Sequence, residues 1–219
     1  MAALALLSGG LDSTVAAALW RARHGPVALG LVVDYGQRAA AREEQAARAV
    51  GQALGFDVVA TTAPLLAEVT ATALVQHGRP LPSPDPARLD DPAAAAATAD
   101  AVWVPNRNGV LVNLAAALAE ARGLSPVIVG FNAEEGATFP DNTASFLQHL
   151  NDCLADSTRG RVQVASPTLT MTKAELLREG LAVGAPVQLA WSCYEGGPAP
   201  CGRCESCRRR ERAEQAVRS

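Results

Sequence analysis

The sequence has no long hydrophobic run and no excess of positive charge. No stretch approaches the roughly 18 apolar residues that a membrane-spanning helix needs. The first ten residues, MAALALLSGG, lack the basic segment and the cleavage site of a secretory signal. A net charge of −3 argues against a broad nucleic-acid surface, which needs a basic excess. We therefore expect a cytoplasmic protein that binds neither a membrane nor nucleic acid.

Lysine is almost absent as well. Of the 19 basic residues only Lys173 is a lysine, and the others are arginines. A single retained lysine suggests a task for which the planar guanidinium of arginine is unsuited. The alternative is that Lys173 is an exposed residue retained by chance.

What the sequence does contain is an alternation of strand-like and helix-like segments. Strands are predicted at residues 2–7, 26–33, 56–61, 126–130 and 162–165. Helices are predicted at residues 15–23, 39–54, 106–122 and 143–157, and from Thr172 onward. This alternation is typical of βαβ units. It predicts one α/β domain, residues 1–219, with a doubly wound, mostly parallel sheet whose ligands bind beyond the carboxyl ends of the strands.

The pattern breaks at residues 76–100, where five prolines precede a run of alanines. We expect this insertion to be an exposed loop or a lid over the site. An idle surface insertion is the alternative.

The segment LLSGGLDST, residues 6–14, joins the first predicted strand to the first helix. Gly9 and Gly10 allow close approach of the backbone to an anion, and a helix N-terminus attracts negative charge. Ser8 and Ser13 add hydroxyl donors, and Asp12 is a candidate magnesium ligand. No lysine follows the glycines, so the segment is not a Walker loop. A tight turn with a helix cap is the structural alternative.

Four of the five cysteines fall near the C-terminus, with the spacing C-x7-C-x2-C-x2-C. Cys193, Cys201, Cys204 and Cys207 suit a tetrahedral zinc ion with four thiolate ligands. Disulfides are disfavoured in a cytosolic protein, and an iron–sulfur cluster is the stronger alternative. With four sulfur ligands the zinc would be structural, one ion per chain, within a C-terminal helical segment at residues 191–219.

Six segments occur in one order: the 6–14 loop, DYGQR (34–38), VPNRN (104–108), GFNAEE (130–135), LTMTKAEL (169–176) and the cysteine segment WSCYEGG…CGRCESC. Together they resemble the QueC-type 7-cyano-7-deazaguanine synthases of queuosine biosynthesis, within the PP-loop ATP pyrophosphatase superfamily. The resemblance covers nearly the whole chain outside the insertion. It implies a Rossmann-like fold of the adenine nucleotide alpha hydrolase type, and a homodimer.

The resemblance also implies a reaction, in which 7-carboxy-7-deazaguanine and ammonia give the nitrile through an amide, with ATP and Mg²⁺. The implied catalytic residues are Asp12, Ser13 and Lys173. The implied ATP-binding residues are Leu7, Ser8, Gly9, Gly10, Leu11, Asp12, Ser13, Thr14, Asp34, Tyr35, Arg107 and Asn108. The implied residues for the deazapurine are Gln37, Arg38, Asn132, Glu134, Asp141 and Asn142. Thr172 and Glu175 match a capping box that would open a helix beside Lys173.

One segment departs from the family pattern, in which Pro-Asp-Cys-Arg-Pro-Glu-Phe follows the GFNAEE-like motif. Here FPDNTASF, residues 139–146, has Asn142 and Thr143 in place of Cys-Arg. If that arginine meets the acidic substrate, this chain must hold the carboxylate otherwise. A diverged paralogue acting on another deazapurine or on a macromolecule, and a PP-loop RNA-modifying enzyme, are therefore alternatives.

Overall fold

A computed structural model of the chain describes residues 1–89 and 91–218. Within them, five strands form one sheet in the order β3-β2-β1-β4-β5, and every neighbouring pair is parallel. The strands are β1 (Ala3–Leu6), β2 (Val27–Asp34), β3 (Asp57–Thr62), β4 (Val127–Ile128) and β5 (Val164–Ala165). The predicted α/β fold is confirmed. The last two strands are shorter than the sequence pattern suggested.

Helices cover both faces of this sheet. They are α1 (Leu11–Arg23), α2 (Ala40–Leu54), α3 (Leu65–Glu68), α4 (Pro92–Val102), α5 (Arg107–Arg122), α6 (Ala133–Gly136), α7 (Ala144–Ser157), α8 (Lys173–Ala182) and α9 (Glu205–Arg218). Helices α1, α2, α8 and α9 contribute to one hydrophobic core, and α5 and α7 to the other. Ala3 and Ala5 of β1 lie in the first core and Leu4 in the second, as the alternation of side chains along a strand requires.

None of the helices in the described ranges is long and apolar enough to cross a lipid bilayer.

The insertion at residues 76–100 is more ordered than the sequence suggested. Its alanine run, residues 93–97, lies in the first half of α4, because alanine has the highest helix propensity. Ala99 and Val102 on this helix are buried, and Val102 packs in a third cluster with Tyr35 and Leu74. The proline-rich part before α4 is largely exposed apart from Leu89. The role of a lid stays a prediction.

The order of the strands determines where a ligand site can form. The chain moves outward from β1 through β2 to β3 and then returns to add β4 on the other side of β1. The connections that follow β1 and β4 therefore diverge and leave a crevice at the carboxyl end of the sheet. The 6–14 loop follows β1, and the segment with Phe131 and Asn132 follows β4.

Candidate active site and cysteine cluster

A cleft of about 270 Å³ occupies this crevice. Thirteen of the predicted site residues line it: Leu7, Ser8, Gly10, Leu11, Asp12, Ser13, Tyr35, Gln37, Arg107, Asn108, Asp141, Asn142 and Lys173. Six others lie outside its lining: Gly9, Thr14, Asp34, Arg38, Asn132 and Glu134. The structure thus brings together the loop, the α5 N-terminus and the only lysine.

The loop after β1 leaves the N-terminus of α1 open towards the cleft. Gly10 is the N-cap residue, and no side chain caps the helix within the described part of the chain. Ser8 Oγ lies 3.0 Å from Ser13 Oγ, and the Gly10 N–H donates to Ser8 Oγ at 3.2 Å. First-turn N–H groups without a cap, beside two hydroxyls, form a site that suits phosphate oxygens.

Two glycines are required by close packing around this loop. Gly9 has a φ of +74°, and a Cβ on it would lie 2.3 Å from the carbonyl oxygen of Glu43. Gly130 follows β4, and a Cβ on it would lie 2.6 Å from the backbone nitrogen of Ser13. The loop therefore sits directly against α2, and the end of β4 against the first turn of α1.

Lys173 is held between two carboxylates at the same end of the cleft. Its Nζ lies 2.8 Å from Glu135 Oε1 and 3.3 Å from Asp12 Oδ2, and its side chain is 7% exposed. The predicted capping box of Thr172 and Glu175 starts α8 at this residue. The alternative of an exposed first-turn lysine is wrong, because the side chain points inward.

The charges at this end of the cleft influence one another. Burial opposes the charge on Lys173, but Asp12 and Glu135 outweigh it and raise the lysine pKa, so the ammonium stays protonated. Burial raises the pKa of Asp12, and Lys173 only partly offsets this. Asp12 Oδ1 is buried and has no hydrogen-bond partner within residues 1–89 and 91–218. An oxygen of this kind fits a hard cation such as Mg²⁺.

Arg107 forms the opposite side of the cleft with polar neighbours. Its Nε donates to Asn108 Oδ1 at 3.3 Å, and it is hydrogen-bonded to the Tyr35 hydroxyl. Asn108 Nδ2 donates to the carbonyl of Asp141 at 3.2 Å, and Asn142 Nδ2 donates to Asp141 Oδ1 at 3.1 Å. Burial raises the pKa of Asp141, which Arg107 partly opposes. The altered 139–146 segment therefore lies beside Arg107.

Aromatic side chains are scarce in the chain but concentrated here. The sequence has three Trp, two Tyr and four Phe. Both Tyr, two of the Trp and two of the Phe line the cleft: Tyr35, Tyr194, Trp103, Trp191, Phe131 and Phe139. Trp103 and Phe139 stack with a centroid distance of 6.2 Å. Aromatic rings that line a cleft offer stacking surfaces to planar heteroaromatic ligands.

Three of the predicted residues outside the lining make hydrogen bonds with the surrounding backbone. Asp34 Oδ1 accepts from the Gly36 N–H at 2.8 Å, which forms a turn after β2. Asn132 is fully buried, and its Oδ1 accepts from the Glu135 N–H at 2.9 Å at the start of α6. Arg38 Nη2 donates to the carbonyls of Gln76, at 2.7 Å, and Arg79. These contacts support the walls, and the binding roles of these residues stay predictions.

Glu134 and Glu135 have different surroundings although they are neighbours in α6. Glu135 lines the cleft with Lys173, whereas Glu134 pairs with Arg209 and Arg212 of α9. The family resemblance assigned Glu134 to the deazapurine, but the neighbouring Glu135 is the one that lines the cleft. The sequence assigned no role to four aromatic residues of the cleft, Trp103, Phe139, Trp191 and Tyr194, or to the buried Arg209. Trp103 directly precedes the VPNRN segment, and Trp191 and Tyr194 lie within the cysteine segment.

The four C-terminal cysteines converge as their spacing predicts. The Sγ atoms of Cys193, Cys201, Cys204 and Cys207 all lie within 4.8 Å of one another. Cys193 Sγ accepts the N–H groups of Glu195 and Cys201, each at 3.3 Å, and Cys201 Sγ accepts the Cys204 N–H at 3.4 Å. N–H donors aimed at sulfur stabilise the thiolate form. Four thiolates at this separation could hold a tetrahedral metal ion.

Burial and the neighbouring sulfurs disfavour thiolates when no cation is bound. Burial is the main reason that the pKa of Cys193 is raised, to about 11. The pKa of Cys204 is raised by its hydrogen bond to Cys207 and by burial. Binding of a metal ion by this cluster must therefore displace protons.

Comparison with known proteins identifies relatives over the full length of the chain. The model of the family "Queuosine biosynthesis protein QueC" matches residues 2–218. A protein of Desulforudis audaxviator named 7-cyano-7-deazaguanine synthase is 49% identical over 99% of this chain and 98% of its own. Proteins with the same name from Pelotomaculum thermopropionicum and Methanosarcina mazei are 46% and 41% identical, over 99% and 97% of this chain and 98% and 93% of theirs.

Proposed function

The chain belongs to the QueC family of queuosine biosynthesis proteins, and from that premise we propose that it converts 7-carboxy-7-deazaguanine and ammonia to 7-cyano-7-deazaguanine. The reaction consumes ATP and passes through an amide. The observation that best supports the proposal is the convergence of a phosphate-type loop, the cationic side chains of Arg107 and Lys173, and six aromatic rings on one cleft.

ATP is needed because neither a carboxylate oxygen nor an amide oxygen leaves unaided. It supplies the adenylyl or phosphoryl group that makes each oxygen a leaving group. Ammonia displaces the activated carboxylate oxygen to give the amide. The activated amide oxygen then leaves together with the N–H protons, which gives the nitrile without a second ammonia. The N–H groups at the start of α1 and the hydroxyls of Ser8 and Ser13 bind its phosphates. Asp12, through its unpartnered Oδ1, offers an oxygen ligand to Mg²⁺.

Lys173 supplies a fixed positive charge at the same place. Its ammonium is protonated and buried, and Asp12 and Glu135 fix its position from two sides. A charge that is already oriented stabilises negative charge that develops on phosphate oxygens without reorganisation during the reaction. The long side chain of lysine and its compact head suit this narrow position better than a guanidinium.

Arg107 is the residue that we assign to the acidic group of the deazapurine. Its described contacts are with Asn108 and Tyr35, and no ion pair of its guanidinium occurs in residues 1–89 and 91–218. A guanidinium without a bound carboxylate offers paired N–H donors to an incoming one. It would thereby take the role of the arginine that the family pattern has in place of Thr143. Asn142 and Asp141 fix the wall beside it.

We further propose that the cysteine cluster holds one structural zinc ion, because four thiolates leave no open position for catalysis. We also propose that the protein is a homodimer, as the family resemblance implies, and that it is cytoplasmic. The alternatives of a diverged paralogue and of an RNA-modifying enzyme are not favoured, since relatives at 41–49% identity share one name.

The test is a reaction of the purified protein with ATP, Mg²⁺, an excess of ammonia and 7-carboxy-7-deazaguanine. Mass spectrometry should detect the amide first and the nitrile later. The Ser13→Ala variant is the control for ATP dependence. If wild-type protein binds ATP but leaves the deazapurine unchanged, the proposed reaction is wrong.

A further inference from the structure

Arg209 is a buried arginine on the C-terminal helix α9, outside the cleft. Its side chain is 6% exposed, and the guanidinium contacts its own helix, helix α6 and the insertion. Nε donates to Glu205 Oε1 at 2.9 Å, Nη1 donates to Glu134 Oε1 at 2.9 Å, and Nη2 donates to the carbonyl of Leu89 at 3.1 Å. Desolvation makes burial of a guanidinium costly, so an arginine in this position needs such partners.

Glu134 connects Arg209 to the reaction centre. Its Oε1 accepts from Arg209, and its Oε2 accepts the backbone N–H of Lys173 at 3.2 Å. The N–H of Ala133 donates to the carbonyl of Met171 at 3.0 Å. Helix α6, which carries Glu135, is therefore fastened to the residues that begin α8. These two contacts hold the backbone at Lys173 against the helix that carries Glu135.

The other contacts of Arg209 join this unit to two distant parts of the chain. Leu89 belongs to the proline-rich part of the insertion and is one of its buried residues. Glu205 directly follows Cys204, and Cys207 lies in the first turn of α9. One side chain thus joins the insertion, the helix that follows the cysteine cluster and the helix that carries Glu135.

We propose that Arg209 is a positioning residue, which fixes Glu134 and through it the arrangement of Lys173 and Glu135 that the reaction needs. The inference rests on the proposed function, because its kinetic part requires turnover of 7-carboxy-7-deazaguanine. Arg212 also contacts Glu134 Oε1, at 2.6 Å, but its side chain is 37% exposed. Without Arg209, Glu134 keeps its contact with Arg212. Loss of Arg209 should therefore weaken the arrangement of Lys173 and Glu135 and not abolish it.

Replacement of Arg209 alone would leave the carboxylate of Glu205 buried without its cation, and the protein could unfold for that reason. The informative variant is therefore the double substitution Arg209→Met with Glu205→Met, which removes the two charges together. Arg209→Lys keeps the charge but not the three-way geometry. Arg218→Gln changes an arginine of the same helix that is 81% exposed, and serves as the matched control.

Two measurements are made on each folded variant whose metal content equals that of the wild type. Hydrogen exchange of the Lys173 amide should become about tenfold faster in the double variant, since a hydrogen bond of ordinary strength is weakened. The kcat should fall at least about tenfold while the KM for ATP changes little, because a displaced catalytic group slows chemistry more than binding. Arg209→Lys should recover part of the lost kcat.

Exchange at Lys173 that stays at the wild-type rate in the double variant overturns the proposal, whatever the kinetics. A KM for ATP that rises in parallel with the loss of kcat also overturns the proposal, because a residue with a general structural role would change both parameters together. If wild-type protein shows no turnover but the exchange result holds, the proposed reaction fails and the positioning contact stands.

Discussion

Removal of the positive charge of Lys173 should destabilise the protein in a pH-dependent way. Lys173→Met leaves Asp12 and Glu135 facing each other without the ammonium that lies 3.3 Å and 2.8 Å from them. Both carboxylate side chains are less than a quarter exposed, so water cannot fully replace the lost partner.

The magnitude follows from these distances. Coulomb's law with the dielectric constant of water gives about 1.5 and about 1.3 kcal/mol for the two contacts, or about 3 kcal/mol together. Measured costs of removing one partner from a buried ion pair are about 3–5 kcal/mol. We therefore expect a loss of about 3–5 kcal/mol in the free energy of unfolding at pH 7.5.

The dependence on pH has a definite sign. Burial by itself raises the pKa of Glu135, and at present Lys173 more than reverses this and lowers it. Without Lys173 the pKa of Glu135 should rise above its ordinary value. A carboxyl whose pKa is raised in the folded state favours folding at low pH, where it is protonated in both states. The deficit of Lys173→Met should therefore shrink as the pH falls from 7.5 to 5.

Urea unfolding of wild-type protein, Lys173→Met and Lys173→Arg at both pH values measures these effects. Lys173→Arg should keep most of the stability, because the charge remains, yet lose about 100-fold in kcat from a displacement of about 1 Å. A deficit for Lys173→Met that is below 1 kcal/mol, or that grows towards pH 5, would refute the assigned pairing.

Three other substitutions test the remaining parts of the site. Cys204→Ser should lower the zinc content below one ion per chain and reduce the unfolding temperature, as zinc binding is worth about 10–16 kcal/mol in finger peptides; elemental analysis measures this, with the exposed Cys153→Ser as control. Ser13→Ala should raise the KM for ATP about tenfold but cost only about 1 kcal/mol of stability, since it removes hydrogen bonds at the loop; Ser157→Ala on the exposed end of α7 should leave both unchanged. Asn142→Ala should raise the KM for 7-carboxy-7-deazaguanine more than the KM for ATP, and equal increases would contradict its assignment to the deazapurine side.

The sequence predicted the parallel sheet because strand and helix periodicities alternate clearly up to β3 and again from α5 onward. It predicted the cysteine cluster for a similar reason, since short fixed spacings determine which sulfur atoms can meet. Helix α4 was not predicted. Its alanine run follows five prolines that suggest a loop, and its burial depends on a cluster formed by distant residues.

Finer features depend on orientation that local sequence does not encode. Helix α6 has four residues, so periodicity cannot tell whether Glu134 or Glu135 faces the cleft. A run of arginines such as that at residues 208–210 of α9 is typical of a solvated helix face. A signal was nevertheless present, because Glu205, Arg209 and Ala213 are spaced by four residues and form the buried side of that helix.

The aromatic lining of the cleft has an optical consequence. Trp103 and Trp191 face the cleft, whereas Trp20 stacks on His24 at the other end of α1, with a centroid distance of 4.4 Å. Two of the three indoles are therefore placed to report on whatever enters, and the third contributes a constant background emission. We expect the intrinsic fluorescence to be quenched in two separate titrations, one with ATP and one with the deazapurine. The protein thus carries its own probe of occupancy, and the affinity for each ligand can be measured without a label and before any turnover takes place.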